Sequence, residues 1–88
     1  MQRELTIVNR LGLHARAAAK FAALATKFNC EIEVTLADRQ ANGKSIMSLM
    51  MLAAGKGKTI VVHATGEDAT EAIQQLQTLV ENRFDEME

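Results

Sequence analysis

Residues 30–36 read Cys-Glu-Ile-Glu-Val-Thr-Leu, and apolar and polar side chains alternate through the whole stretch. A period of two places the two sets on opposite faces of a β-strand. The apolar set is Cys30, Ile32, Val34 and Leu36. The stretch therefore predicts a strand with one buried face and one solvated face, which is typical of antiparallel sheets.

Three further strands are predicted before and after this one in the sequence. Residues 3–8 and 59–65 alternate in the same way, and residues 39–42 complete a hairpin after a short turn. The predicted inward side chains are Leu5, Ile7, Ile60, Val62 and Ala64.

Two longer segments have the helical period. Residues 16–27 are rich in alanine, which favours a helix. Residues 69–82 follow Asp68 and Glu71, which fit a capping box. The predicted buried stripes are Ala17, Phe21, Leu24 and Phe28 in the first helix, and Ala72, Ile73, Leu76, Leu79 and Val80 in the last.

A shorter helix is predicted over residues 46–53, with Ser45 as its N-cap. Its predicted sheet-facing residues are Ile46, Leu49, Met50 and Ala53. Met47 and Met51 then lie on another face, where they either dock a partner or fill the edge of the core. Ser45 also has two interpretations. It is either only the helix cap or a site of phosphorylation, because a phosphate is tolerated at a helix N-terminus.

The predicted order is strand, helix, strand, strand, helix, strand, helix. Strands with one apolar face suit an antiparallel sheet covered by helices on one side, an α+β open-faced two-layer sandwich. The last residues, Asp85, Glu86 and Glu88, are predicted to form a frayed acidic tail.

Composition and charge exclude several classes of protein. A chain of 88 residues is short for more than one domain, so we expect a single domain over 1–88. One cysteine cannot form an internal disulfide, and no apolar run approaches the ~20 residues that a membrane span needs. The net charge of -1 and the three aromatic residues disfavour a nucleic-acid partner. From the single cysteine and the lack of a membrane span we expect a cytoplasmic protein. The two histidines and Cys30 lack the spacing of a metal site.

His14 is the candidate for chemistry. It lies where a glycine-containing loop meets the first helix, beside the unpaired N–H groups of roughly residues 15–18. Such a helix start binds anions, and Arg16 is close enough in sequence to join it. A neutral imidazole there is a competent nucleophile. The alternative is that His14 only caps the helix. His63 lies mid-strand and is predicted to be a solvated sheet residue.

Two segments carry a resemblance to a known family. Residues 12–16 (GLHAR) resemble the active-site signature of the histidine-containing phosphocarrier (HPr) family of the bacterial sugar phosphotransferase system. Residues 42–48 (NGKSIMS) are similar to the regulatory serine segment of that family. The two segments stand at the usual separation, and the resemblance spans essentially the whole chain.

The resemblance implies a βαββαβα fold with a four-stranded antiparallel sheet. It implies that His14 accepts a phosphoryl group on Nδ1 from enzyme I, charged by phosphoenolpyruvate, and passes it to a histidine of an enzyme IIA domain. Arg16 would stabilise that group, and Ser45 would be modified by HPr kinase/phosphorylase. The first two helices would dock partners through Lys20, Ile46, Met47 and Met50. The resemblance also implies that the chain is a monomeric carrier without a cofactor, rather than a stand-alone enzyme.

One position departs from the family pattern. Ala17 stands where the family usually has proline, and the chain contains no proline at all. Alanine adds an N–H and loosens the start of the helix. This puts transfer rates and partner preference in question and leaves open a branch of the system not concerned with sugar. The competing interpretation is a regulatory binding domain without phosphotransfer, which docks partners through Met47 and Met51.

Overall fold

The four predicted strands form one antiparallel sheet in the computed structural model, which describes residues 1–87. The strands are β1 (Gln2–Thr6), β2 (Glu31–Leu36), β3 (Arg39–Asn42) and β4 (Thr59–Thr65). They are arranged in the order β1-β4-β2-β3, so β4 and β2 lie at the centre. The predicted sheet is confirmed, and the strand ends differ from the predicted ones by at most two residues.

The helices are α1 (Ala15–Thr26), α2 (Ile46–Met51) and α3 (Ala69–Glu81), followed by a single turn at Arg83–Asp85. The element order confirms the βαββαβα fold. Within residues 1–87, no helix is both long enough and apolar enough to cross a membrane.

The inward side chains of the central strands form the middle of the core. The register pairs Val34 of β2 with Val62 of β4, and both are fully buried. All the residues predicted to face inward from the strands are buried. Phe21 and four of the alanines of α1, those at positions 17, 18, 22 and 25, complete the same core, while Leu24 and Leu79 are only partly buried at its edge. The period-two pattern of the strands and the helical pattern of α1 and α3 thus located the core, with Leu24 and Leu79 at its edge.

Asp68 does not form the predicted capping box. Its carboxylate makes no cap hydrogen bond to α3 and instead accepts the backbone N–H groups of Asn29 (2.8 Å) and Cys30 (2.9 Å). The bond from Asn29 is the main reason that the pKa of Asp68 lies below its ordinary value, although partial burial opposes it. One side chain therefore joins the start of α3 to the start of β2, and this tertiary contact replaces the local one.

The predicted inner face of α2 is also wrong in part. Leu49 and Leu52 are buried, whereas Ile46, Met50 and Ala53 are exposed. The helix has only six residues, and the chain leaves it through Ala53, whose φ of 53° is left-handed. So short a helix buries one main side chain, Leu49, and the rest of its apolar surface stays in solvent.

Residues 83–87 do not form the predicted frayed tail. Phe84 is 0% exposed, and the backbone around it is left-handed at three consecutive residues, with φ of 59°, 53° and 63° at Arg83, Phe84 and Asp85. Lys20 of α1 donates to the carbonyl of Phe84 at 2.9 Å. Residues 83–87, here called the C-terminal strap, therefore fold back toward the start of α1. The predicted tail residue Glu88 lies outside the described residues.

Candidate functional site

The loop before α1 is fixed by a close approach of two backbones. Gly12 has a φ of 68°, and a Cβ at this position would lie 2.5 Å from the carbonyl oxygen of Ala54. The next residue, Leu13, donates its N–H to the same oxygen at 2.9 Å. Only glycine fits this position without displacing the backbone. The loop after α2 thereby determines where His14 lies.

His14 occupies the N-cap position of α1, but its side chain makes no cap hydrogen bond. The ring is therefore not used as the helix cap. The first intrahelical bond runs from the N–H of Ala18 to the carbonyl of His14 at 2.8 Å. Ala18 is thus already paired, and the donors available for an anion belong to residues 15–17 rather than 15–18.

The imidazole of His14 contacts a carboxylate that sequence reasoning missed. Its Nε2 is paired with Oε2 of Glu86 in the C-terminal strap. The His14 side chain is 27% exposed and that of Glu86 is 13% exposed. None of the hydrogen bonds among residues 1–87 involves Nδ1 of His14. The ring is thus held on one nitrogen, while the other remains available.

Asn9 holds the second oxygen of the same carboxylate. Its Nδ2 donates to Oε1 of Glu86 at 2.9 Å and to the carbonyl of Gly12 at 2.8 Å. Asn9 is fully buried, and its Oδ1 has no partner within residues 1–87. A buried amide with one unpaired oxygen is costly, so its two donated bonds must offset that cost.

The carboxyl of Glu86 is ionised more readily than usual. Burial would raise its pKa, but hydrogen bonds from Asn9 and His14, together with the charges of His14 and Arg16, outweigh burial and lower it. Arg16 is exposed and lines a groove with Glu86. Arg10, Leu11 and Met87 complete that groove. Arg16 and His14 therefore both lie close enough to Glu86 to act on its carboxylate.

The other predicted site residues lie on or near α2. Ser45 caps this helix, because its Oγ accepts the N–H of Ser48 at 3.2 Å. Met47 and Met51 are 71% and 75% exposed, so they do not fill the edge of the core. Ile46 and Met50 are exposed beside them. Lys20 uses its ammonium to hold the strap.

His63 stays apart from these groups. Its Nε2 lies 3.3 Å from Oγ1 of Thr35, on the sheet face opposite the core. Among the described residues, no group of three or more His, Cys, Asp or Glu side chains is placed to hold a metal ion. The candidate site therefore consists of His14, Glu86, Arg16 and the start of α1.

Comparison with known proteins points to one family. A family model described as the phosphorylation site of the PTS HPr component matches residues 1–82. A phosphocarrier protein HPr from Pseudomonas putida is 53% identical over 87 residues, which are 98% of this chain and 97% of the relative. The phosphocarrier protein HPr of Pseudomonas aeruginosa is 51% identical over 86 residues, covering 97% and 96% of the two chains.

A solved structure agrees with this likeness. The crystal structure of HPr-C-His from Thermoanaerobacter tengcongensis superposes with a TM-score of 0.95 at 39% sequence identity. The superposition covers 100% of this chain and 99% of that chain.

The contact between Glu86 and its partners predicts a pH-dependent stability. Folding lowers the pKa of this carboxyl below its ordinary value of 4.5, so the folded state favours the ionised form. The stabilisation is then complete above pH 4.5 and is lost as the pH falls through the lower folded-state pKa. At neutral pH, Glu86→Gln should lower the free energy of unfolding by about 1–3 kcal/mol.

Urea unfolding of both chains at a series of pH values measures this difference, which should disappear in acid. Asp85→Asn removes a neighbouring charge and is the matched control, with a change within about 0.5 kcal/mol. A difference for Glu86→Gln that persists or grows in acid would contradict the assignment.

Proposed function

The chain belongs to the HPr family of phosphocarrier proteins of the phosphotransferase system, and from that premise we propose that His14 is the residue that carries the phosphoryl group, on Nδ1. Enzyme I, charged by phosphoenolpyruvate, is the proposed donor, and a histidine of an enzyme IIA domain is the proposed acceptor. The carrier acts in the cytoplasm as a monomer, as one domain over 1–88, without a cofactor. The observation that carries the proposal is the open Nδ1 of His14 beside the first turn of α1.

The transfer is a nucleophilic displacement at phosphorus. The lone pair of Nδ1 attacks while the bond from phosphorus to the donor nitrogen breaks. The N–H groups of residues 15–17 and the guanidinium of Arg16 offset the charge of the transferred group. The partner completes the site, because the His14 side chain is 27% exposed and its Nδ1 has no hydrogen bond among residues 1–87. This division of labour suits a carrier that is not itself a stand-alone enzyme.

The proposed docking surface is the exposed apolar face of α2. Ile46, Met47 and Met50 project into solvent there. Flexible thioether side chains adapt to more than one partner surface. Such a surface suits a carrier that meets both a donor and an acceptor.

Ser45 is the proposed regulatory site. Its Oγ lies at the first turn of α2, next to Ile46 and Met47. A phosphate there would be tolerated by the helix start and would place about two negative charges beside the docking surface. Phosphorylation would therefore weaken docking while leaving His14 itself unchanged.

We expect phosphoenolpyruvate and enzyme I to label this chain with acid-labile phosphate. His14→Ala should abolish the label, because the acceptor nitrogen is gone, while His63→Ala should keep it. The measurement is radioactive phosphate on the chain before and after brief acid treatment. Equal acid-labile phosphate on the parent chain and on His14→Ala would refute the role of His14.

HPr kinase/phosphorylase and ATP should place acid-stable phosphate on Ser45. The label should be lost in Ser45→Ala and retained in the matched variant Ser48→Ala. The phosphorylated chain should then accept phosphate from enzyme I with a KM raised at least about tenfold, since like charges oppose docking. Acid-stable label at another residue, or an unchanged KM, would reject this regulatory role.

A further inference from the structure

We propose that Glu86 is a positioning residue for the transfer: its carboxylate accepts the Nε2 proton of His14 and so holds the imidazole in the tautomer whose Nδ1 is free to attack. The inference deepens the proposed function and rests on His14 being the acceptor. In a neutral imidazole only one ring nitrogen carries the proton. A hydrogen bond from one of the two nitrogens to a neighbouring group determines which nitrogen that is. Glu86 is ionised at neutral pH and can only accept, so the proton must lie on Nε2.

The carboxylate itself is held in one orientation. Asn9 donates to Oε1 of Glu86, while the opposite oxygen, Oε2, contacts Nε2 of His14. The amide of Asn9 cannot turn over, because its Nδ2 also donates to the carbonyl of Gly12. Reversing that amide would set two oxygens against each other. A line of contacts therefore runs from Gly12 through Asn9 and Glu86 to the reacting ring.

The C-terminal strap places Glu86 beside the imidazole of His14. The ring of Phe84 is buried two residues before it, and Lys20 holds the carbonyl of the same residue. The N–H of Glu86 donates to the carbonyl of Arg83 at 2.9 Å, which closes the turn. These contacts at Arg83 and Phe84 thus fix the backbone that carries Glu86.

The proton stays in place throughout the reaction. As Nδ1 forms its bond to phosphorus, the electron pair of the broken bond returns to the donor nitrogen. The phosphorylated ring keeps its proton on Nε2 and carries a positive charge that faces the carboxylate of Glu86. In the onward transfer the electron pair returns to Nδ1, and the neutral ring is restored with the same tautomer. Glu86 therefore stabilises charge without taking the proton.

This role makes a prediction that a packing role does not. In Glu86→Gln the amide oxygen must face Nδ2 of Asn9, because that group is a fixed donor. The new NH2 then faces Nε2 of His14 and donates to it, so the proton moves to Nδ1 and blocks the acceptor nitrogen. In Glu86→Ala neither tautomer is selected. The nearly isosteric glutamine should therefore be more harmful than alanine.

The experiment measures the tautomer and the rate together. Long-range proton–nitrogen spectra of the histidine-labelled chain report which ring nitrogen of His14 bears the proton, with His63 as an internal reference. We expect Nε2–H in the parent chain, Nδ1–H in Glu86→Gln and a mixture in Glu86→Ala. With enzyme I, kcat/KM should fall about tenfold for Glu86→Ala and about a hundredfold for Glu86→Gln, while Asp85→Asn keeps the parent rate.

The inference is overturned if Glu86→Gln keeps Nε2–H, or if it transfers phosphate faster than Glu86→Ala. The spectra need no partner protein, so they decide on Glu86 separately from the proposed function. A parent chain that takes no phosphate from enzyme I refutes the proposed function, whereas a labelled parent chain with unaffected Glu86 variants refutes this inference alone.

Discussion

The burial of Phe84 is the constraint on which the arrangement of the site depends. Placing a phenyl ring in the core contributes about 3 kcal/mol, and it forces the last residues to turn back instead of extending α3. Left-handed backbone at three residues without glycine costs about 1–2 kcal/mol each. The ring alone does not cover this cost, so the bond from Lys20 and the contacts of Glu86 are needed as well. The C-terminal strap is therefore held by the same contacts that build the site.

Much of the fold could be predicted because its signals are local. The strand at residues 30–36 shows both of its faces in the sequence, and each inward side chain is buried as the alternation indicates. His14 stands out as the candidate in the sequence because a glycine loop and a helix start meet at one point of the chain. These patterns depend on neighbours within a few residues, and tertiary contacts then reinforce them.

Two of the failures share one cause, which is competition from distant partners. Asp68 looks like a helix cap, but the N–H groups of Asn29 and Cys30 bind it. Glu86 looks like part of a solvated acidic tail, yet it contacts His14 from 72 positions away. Phe84 was the available signal, since a lone aromatic residue among charged ones suggests an anchor. For the six residues of α2, the helical period was too short to separate buried from exposed positions.

The local charge of the site fits a chain whose net charge is only -1. Positive potential comes from Arg16 and the first turn of α1, and α1 begins at Ala15 although Ala17 replaces the proline of the family pattern. Nδ1 of His14 is the proposed carrier of the phosphoryl group. Phosphorus–nitrogen coupling in the spectrum of the nitrogen-labelled, phosphorylated chain tests it most directly. We expect coupling to Nδ1 of His14, whereas coupling to Nε2, or phosphate on another residue, would contradict the proposed role of this nitrogen.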